Sequence, residues 1–300
     1  MMGSAPQQAS AVSGGPPDSP GSPDSSGATS GALPGAYLAV SGVGFHYEDS
    51  AILEDINLSV GRGEFVALVG PSGCGKSTLL NLISGVLAPG AGQIKVVNTA
   101  KNLKNQDRSE RASRLGHVSY MQQKDLLLPW RTVSENGRLG LELRGVGAAE
   151  TDTRVKRLAE SFGLSDVLGS MPWQLSGGMR QRVALLRALL PDNPVLLLDE
   201  PFGALDAITR SGLQQWLLNV LDRSEKAVLL VTHDVEEAIL LADRVLIMAP
   251  DPGRIVAEVV ITLDSGKARN LEASTTPEFV EMKKRILGIL RRQEPEGQTL

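Results

Sequence analysis

Residues Glu64 to Thr78 read EFVALVGPSGCGKST, and the architecture of the chain follows from them. The first part, up to Val69, is a short apolar run with the length and composition of a buried strand. The second part fits the pattern G-x-x-x-x-G-K-[ST], and the apolar positions that follow it, from Leu79 to Ile83, have helical spacing. A strand, a glycine loop and a helix in this order predict a loop that binds phosphate.

This loop would hold phosphate mainly through its backbone. Glycines let successive N–H groups point inward as an anion nest, and the following helix adds its positive end. Lys76 would reach the β- and γ-phosphates, and the Ser77 hydroxyl would bind Mg²⁺. The residues predicted to contact a nucleotide here are Gly70, Pro71, Ser72, Gly73, Cys74, Gly75, Lys76, Ser77 and Thr78. A plain Gly-rich turn is the alternative, which the flanking strand and helix disfavour.

Two more apolar runs lead into polar side chains. Val195 to Leu198 is followed by Asp199 and Glu200, and Val228 to Val231 is followed closely by His233. Ligands sit at the carboxyl ends of parallel strands in open α/β sheets. We therefore expect Asp199 to hold Mg²⁺, Glu200 to act as general base on the attacking water and His233 to hydrogen-bond the γ-phosphate.

Strand-like and helical patterns alternate through most of the chain, which predicts an α/β fold with a mostly parallel sheet covered by helices. The predicted strands lie at 37–47, 51–60, 64–69, 93–97, 118–121, 195–198, 228–231 and 245–248. Between about residues 125 and 190 helical patterns replace the strands, including 155–162 and 179–190, which predicts an inserted helical subdomain.

Both ends of the chain differ from this central part. Residues 1–36 are dominated by Gly, Pro, Ser and Ala, which predicts a disordered leader. We expect one folded domain over 37–262 and a helical tail over 263–300. In that tail, residues 278–292 form an amphipathic pattern. Its inward positions are predicted to be Phe279, Met282, Ile286, Leu287 and Leu290.

The composition excludes several classes of protein. Of the 300 residues, 42% are hydrophobic and 21% charged, as in folded globular chains. The formal net charge of −4 argues against nucleic acid as a partner. With Cys74 as its single cysteine the chain has no intrachain disulfide. No apolar run reaches the roughly 18 residues of a membrane span, and no basic residue precedes Arg62, so we expect neither a spanning segment nor an export signal.

Residues Leu175 to Arg182 read LSGGMRQR and precede the acidic strand. They resemble the LSGGQ signature of ABC ATPases, and the resemblance covers about residues 37–262. It implies a P-loop NTPase ABC cassette with N-terminal antiparallel strands and with ATP and Mg²⁺ as cofactors. It also implies a head-to-tail dimer, either a homodimer or a pair with a close paralogue, in which each phosphate loop closes on the partner's signature. Ser176 and the amides of Gly177 and Gly178, opening a helix at Met179, would form this second anion-binding surface.

The same resemblance assigns three further residues. Tyr47 matches the aromatic residue that stacks on adenine, with Phe45 as the other candidate. Gln123 matches the glutamine that contacts Mg²⁺ and the attacking water, although Gln122 is adjacent. Asp206 matches an aspartate that links the two sites across the dimer. Tyr47 as a core aromatic and Asp206 as a helix cap remain alternatives.

Residues 127–136, LLPWRTVSEN, resemble the ATPases of nitrate, sulfonate, taurine and thiamine-pyrimidine-precursor importers. Residues 252–255, expected to follow the last core strand, fit the same subgroup. The resemblance implies a peripheral ATPase at the cytoplasmic face of the membrane, bound to permease subunits and indirectly to an extracytoplasmic solute-binding protein. Gly137 and Gly140 lie in a stretch that is expected to be helical, where each glycine is less favourable than Ala by about 1 kcal/mol. These two glycines leave the geometry of the permease-facing surface open.

Two alternatives concern the function of such a cassette. ABC ATPases of DNA repair or translation carry long coiled-coil insertions or two cassettes, whereas this chain has one cassette and no heptads. A regulatory cassette that only binds ATP would be expected to lose Lys76, Glu200 or His233. All three residues are present, which favours an ATP-hydrolysing subunit of an importer.

Overall fold

A computed structural model describes residues 36–97, 114–203, 205–221, 224–263 and 271–293. Nearly all of the predicted leader therefore lies outside the described residues. The strands are β1 (Leu38–Tyr47), β2 (Ser50–Val60), β3 (Phe65–Val69), β4 (Ala91–Val96), β5 (Val118–Met121), β6 (Val195–Asp199), β7 (Ala227–Val231), β8 (Arg244–Ala249) and β9 (Arg254–Val260). The α-helices are α1 (Lys76–Ser84), α2 (Val133–Glu142), α3 (Ala148–Ser161), α4 (Gly177–Leu189), α5 (Ala207–Leu221), α6 (Val235–Leu241) and α7 (Pro277–Arg291).

Six strands form the central sheet in the order β5-β6-β7-β3-β8-β9. The first five are parallel, as predicted, and β3, β6 and β7 are buried at every position. Alternate residues of β3 face two separate apolar cores, Ala67 in one and Leu68 in the other. Apolar side chains on both faces explain why these strands read as continuous hydrophobic runs.

The sequence-based prediction of the sheet was wrong at one edge, where it missed the last strand. Residues 252–255 do not follow the last strand, because β9 begins at Arg254 and pairs antiparallel with β8. Its side chains alternate between half-buried and exposed up to Val259, which is buried. A half-exposed edge strand lacks the apolar run that identified the other strands of this sheet.

A second sheet of three antiparallel strands, in the order β2-β1-β4, lies beside the first. Its apolar side chains, including Leu38, Leu53 and Ile56, share a core with α1 and with one face of the central sheet. The predicted N-terminal antiparallel strands are thus confirmed. They bring the end of β1 and the start of β2 toward the loop that follows β3.

Residues 133–189 hold three α-helices, α2 to α4. α2 begins with a capping box in which the side chains of Thr132 and Glu135 bond each other's backbone N–H. Gly137 and Gly140 are both inside α2, where a Cβ at Gly137 would lie 2.5 Å from Leu186 Cδ2 and one at Gly140 would overlap the Pro191 ring. Close packing on Leu186 of α4 and on Pro191, which follows α4, therefore explains the two helical glycines.

The C-terminal helix α7 packs beside α6. Phe279 and Ile286 are buried, and the other predicted inward positions, Met282, Leu287 and Leu290, are partly buried against the same core, so the predicted amphipathic helix is confirmed. Within the described parts of the chain, none of the helices combines the length and the apolar character that crossing a membrane requires.

Candidate nucleotide-binding site

The phosphate loop joins β3 to α1, as the sequence predicts, and its glycines are required by its shape. Gly73 and Gly75 have positive φ angles of 82° and 95°, which L side chains rarely adopt. At Gly70 the limit is space, because a Cβ there would lie 2.5 Å from the carbonyl oxygen of Met248. The backbone can therefore curl tightly against β8, with Ser72 exposed and Thr78 half-buried at the start of α1.

Lys76 lies folded over this loop. Its Nζ donates to the carbonyl oxygens of Gly70 and Pro71, both at 2.8 Å, and is 3.7 Å from the thiol of Cys74. The buried Cys74 has a pKa raised by burial, which Lys76 opposes. The ammonium group is thus held at the mouth of the loop by two backbone acceptors that an anionic ligand would compete with.

Asp199 ends β6 beside this loop and is 3% exposed. Burial raises the pKa of its carboxyl group, while a hydrogen bond from the Ser77 hydroxyl lowers it and the charge of Glu200 raises it again. Tyr120 of β5, the neighbouring strand, donates from its hydroxyl to Asp199 Oδ2 at 3.5 Å. Sequence reasoning missed Tyr120. A tyrosine near the end of the predicted strand 118–121 was the available signal.

Glu200 lies at the centre of the site. Its Oε2 accepts from Gln123 Nε2 at 3.0 Å and is 3.4 Å from His233 Nδ1. Glu200 has a φ of 47°, unusual for a residue other than Gly, and its backbone N–H donates to Val231 at the end of β7. Gln123 rather than Gln122 therefore contacts the predicted general base, and three predicted residues from distant parts of the sequence meet at one carboxylate.

Behind His233, a buried carboxyl group braces the turn into α6. Thr232 donates to Glu237 Oε2 at 2.7 Å and accepts from the backbone N–H of Asp234. Asp234 caps α6, because its side chain accepts from the backbone N–H groups of Glu236 and Glu237. The pKa of Glu237 is raised to about 7, mainly by burial. The hydrogen bond from Thr232 opposes this shift, and the charge of Asp234 adds to it. His233 itself is largely exposed and faces outward from this network.

The signature residues lie at the start of α4. The helix begins at Gly177, two residues before the predicted start at Met179, and Ser176 caps it by accepting from Met179 N at 3.3 Å. A Cβ at Gly178 would lie 3.1 Å from Leu205 Cδ2. The signature therefore packs beside Leu205, which directly precedes Asp206.

Tyr47 and Asp206 are the two remaining residues that the sequence assigns to the site. Tyr47 is 51% exposed at the end of β1 and contacts the Phe45 ring edge to face, with 4.8 Å between centroids. The ring is therefore accessible, and its stacking on adenine stays a prediction. Asp206 accepts from Thr209 N at 3.0 Å and so caps α5, which was the simpler of its two interpretations.

The arrangement brings a phosphate loop, a buried aspartate, a glutamate, a glutamine and a histidine to one edge of the sheet. No group of three or more His, Cys, Asp and Glu side chains that could hold a metal ion occurs among the described residues. The Ser77 hydroxyl, the Asp199 carboxylate and the Gln123 amide are oxygen donors, which suit a hard divalent cation that keeps other ligands from phosphate and water.

Comparison with known proteins gives consistent matches. The sequence profile of the ABC transporter family matches residues 53–203. The taurine import ATP-binding protein TauB of Pseudomonas syringae pv. tomato is 41% identical over 262 residues, 84% of this chain and 95% of that protein. TauB of Yersinia pestis bv. Antiqua is 39% identical over 254 residues, 84% of this chain and 96% of that protein.

Two solved structures share the fold. Dimeric MJ0796, a bacterial ABC transporter cassette, aligns with a TM-score of 0.66 and 31% identity over 75% of this chain and 99% of that chain. A dimeric post-hydrolysis state of MJ0796 bound to ADP and Pi aligns with a TM-score of 0.65 and 30% identity, over the same shares of the two chains.

Proposed function

Since this chain belongs to the ABC transporter family and is the ATP-hydrolysing subunit of an importer, we propose that it drives solute uptake of the nitrate, sulfonate or taurine type as a head-to-tail dimer. Two copies would enclose two ATP molecules, each between the phosphate loop of one copy and the signature of the other. ATP binding closes this dimer and hydrolysis reopens it. The bound permease changes between inward- and outward-facing states as the dimer closes and opens.

The observation that carries this proposal is the cluster around Glu200. A carboxylate that contacts Gln123 at 3.0 Å and His233 at 3.4 Å can accept a proton from a water lying between the three side chains. In this proposal Glu200 is the general base, Gln123 orients the water and His233 donates to the γ-phosphate. The catalytic work is positioning and charge stabilisation, as in other phosphoryl transfers.

Lys76 and the loop amides would hold the β- and γ-phosphates. Lys76 Nζ donates to the carbonyl oxygens of Gly70 and Pro71. On ATP binding, charged phosphate oxygens would replace these neutral acceptors. Charged acceptors give the stronger hydrogen bonds, and no distant side chain has to move into the site. Tyr47 would stack on the adenine ring.

Mg²⁺ fits the residues beside the loop. Ser77 and Asp199 already share a hydrogen bond. Because burial raises the pKa of Asp199, a nearby cation would stabilise its ionised form. Ser77 and Asp199, with Gln123, would hold the ion, which would supply positive charge to neutralise the phosphate oxygens. The proposed ligands of this chain are therefore one hydroxyl, one carboxylate and one amide oxygen.

The signature supplies the second surface for each ATP. The N-terminus of α4 offers the amides of Gly177 and Gly178 and the hydroxyl of Ser176, all suited to phosphate oxygens. Asp206 lies beyond Leu205, against which Gly178 packs, and would link the two ATP sites at the dimer interface. The dimeric state of the related MJ0796 cassette supports this pairing of copies.

The permease would dock on the segment that follows Gln123, where Trp130 is 70% exposed. The relatives named above are taurine import proteins, which supports a sulfonate or a similar small anion as the solute. We place the chain at the cytoplasmic face of the membrane, with the extracytoplasmic solute-binding protein reached only through the permease. The acidic net charge supports the absence of a nucleic acid partner.

The test is Mg²⁺-dependent ATP hydrolysis by the purified chain, with light scattering to measure the dimer. We expect Glu200→Gln to lower hydrolysis at least 100-fold and to accumulate as an ATP-bound dimer, because only proton acceptance is lost. Glu150→Gln, which changes an exposed carboxylate on α3, is the matched control and should hydrolyse ATP normally. Glu200→Gln protein with the wild-type rate would contradict the role of Glu200.

The solute needs a separate measurement in cells. Deleting this chain should abolish uptake of labelled taurine, another sulfonate or nitrate, and wild-type protein, but not the Glu200→Gln variant, should restore it. Unchanged uptake of all three solutes would refute this solute class while leaving the ATPase result intact. Co-purification from membranes would then identify the permease by its binding to the chain.

A further inference from the structure

The segment from Lys124 to Arg131 links the catalytic Gln123 to α2, and it has neither strand nor helix structure. It is nevertheless tightly held, because side chains from two helices bind its backbone. Leu126, with a φ of 44°, lies in the left-handed region that non-glycine residues seldom adopt, and such a conformation persists only where the surroundings enforce it. The contacts that enforce it come largely from the signature helix α4.

Arg180, in the first turn of α4, makes one contact with this segment and one with the residue that precedes Ser176. Its Nε donates to Asp125 Oδ2 at 3.0 Å, and its Nη1 donates to the carbonyl oxygen of Leu175 at 2.9 Å. Asp125 lies two residues after Gln123, and Leu175 directly precedes Ser176. One planar guanidinium therefore joins the chain that carries the proposed water-orienting amide to the chain that carries the signature.

Arg187 lies two turns further along α4, on the same face as Arg180. It donates to the carbonyl oxygens of Asp125 and Leu126, both at 2.7 Å. Asp125 Oδ1 also accepts from Leu127 N at 3.2 Å, so its carboxylate is fixed from two sides. A guanidinium at each end of this face makes the backbone at 125–126 move with α4.

We propose that Asp125, Arg180 and Arg187 are positioning residues that couple the two ATP sites of the dimer. Gln123 contacts Glu200 in the site of its own copy, whereas the signature of that copy contacts the ATP of the other copy. A shift of Gln123 on ATP binding is carried through Asp125 and Arg180 to Ser176, so occupation of one site raises productive binding at the second. This inference rests on the proposed head-to-tail dimer.

Asp125→Ala, Arg180→Gln and the double variant test the coupling in the full chain. We expect wild-type hydrolysis to rise with ATP concentration with a Hill coefficient above 1, up to a ceiling of about 2 for two sites. Each single variant should bring that coefficient to about 1 and lower kcat about 5- to 10-fold. The double variant should be no worse than either single variant, since both remove one interaction.

Three further comparisons separate coupling from a general loss of structure. Arg154→Gln removes an exposed guanidinium that pairs with Glu150 on α3, and it should keep the wild-type Hill coefficient. Binding of a fluorescent ATP analogue to monomeric protein should be unchanged in all variants, because no residue of the phosphate loop is altered. Arg180→Lys should fall between wild type and Arg180→Gln, because an ammonium group lacks the planar fork that holds Asp125 and Leu175 together.

The coupling, but not the proposed function, would be overturned by variants with the cooperativity of the wild type. It would also be overturned by a wild type that hydrolyses ATP with a Hill coefficient of 1. Equal loss of analogue binding by the monomer and of hydrolysis by the dimer would show a folding defect and would also overturn it. A wild type that does not hydrolyse Mg²⁺-ATP would instead overturn the proposed function itself, and the coupling with it.

Discussion

Two surfaces beside the proposed ATP site, the phosphate loop and the segment from Lys124 to Arg131, are held by different means. The phosphate loop owes its shape to nearby backbone, since Gly70 packs on β8 and Lys76 bonds carbonyl oxygens five and six residues before it. The segment before α2 is instead anchored by side chains of α2 and α4, with Arg187 reaching across 61 residues to Leu126. A surface fixed by backbone tolerates little change at its glycines, while one fixed by side chains can be loosened one anchor at a time.

Gly70→Ala should produce the largest effect, because the added Cβ would lie 2.5 Å from a backbone oxygen that cannot rotate away. The loop must then shift, and a displacement of about 1 Å at a phosphate site can cost on the order of 100-fold in activity. ATP affinity measured by fluorescence should fall accordingly. Gly147→Ala, at a position with open space around it, is the control. Wild-type affinity of Gly70→Ala would refute a backbone-determined loop.

This contrast also decides what the sequence could predict. The loop and the polar residues at the ends of β6 and β7 were predictable, because the residues that build each of these features are adjacent in the chain. The anchors of the other surface were not, because Asp125 and Arg180 are 55 residues apart and each alone resembles an ordinary surface charge. Strand β9 was missed for a related reason, since its half-exposed pattern depends on the strand it pairs with.

Glu237→Gln tests the buried carboxyl group that braces the turn after His233. The carboxyl group ionises near pH 4.5 in the unfolded chain and near 7 in the fold, so between these values only the unfolded state has lost the proton. The free energy of unfolding should therefore fall as the pH rises from about 4.5 to about 7, by at most roughly 3 kcal/mol. Asp234 and Glu200 strengthen this effect, and Arg210 opposes it.

Urea unfolding at several pH values would measure this contribution. In Glu237→Gln it should be absent, whereas Glu236→Gln, which removes an exposed carboxylate paired with Lys283, should keep it. The same pH dependence in wild type and Glu237→Gln would mean that Glu237 is ionised in the fold. The hydrogen bond from Thr232 would then outweigh the cost of burial.

Asn136→Ala tests the side-chain anchors directly. This fully buried residue of α2 accepts from Leu128 N at 2.8 Å and donates to the carbonyl oxygens of Leu128, Arg131 and Thr132. Its removal should lower the free energy of unfolding by about 2 kcal/mol, because buried backbone groups lose their partner. Ser134→Ala, on the same helix, should change it by less than about 0.5 kcal/mol. An unchanged stability of Asn136→Ala would mean that water replaces the side chain.

The smallest expected effects separate packing from helix propensity at three glycines. Alanine is favoured over glycine inside a helix by about 1 kcal/mol, so Gly288→Ala, with open space on α7, should stabilise the fold by about that amount. At Gly137 the added methyl meets a rotatable leucine end, and at Gly140 it meets the rigid ring of Pro191. Overpacking costs about 1–3 kcal/mol, so Gly140→Ala should be destabilised and Gly137→Ala should change less. Stabilisation by all three substitutions, measured by urea unfolding, would show that α2 and α4 can separate without cost.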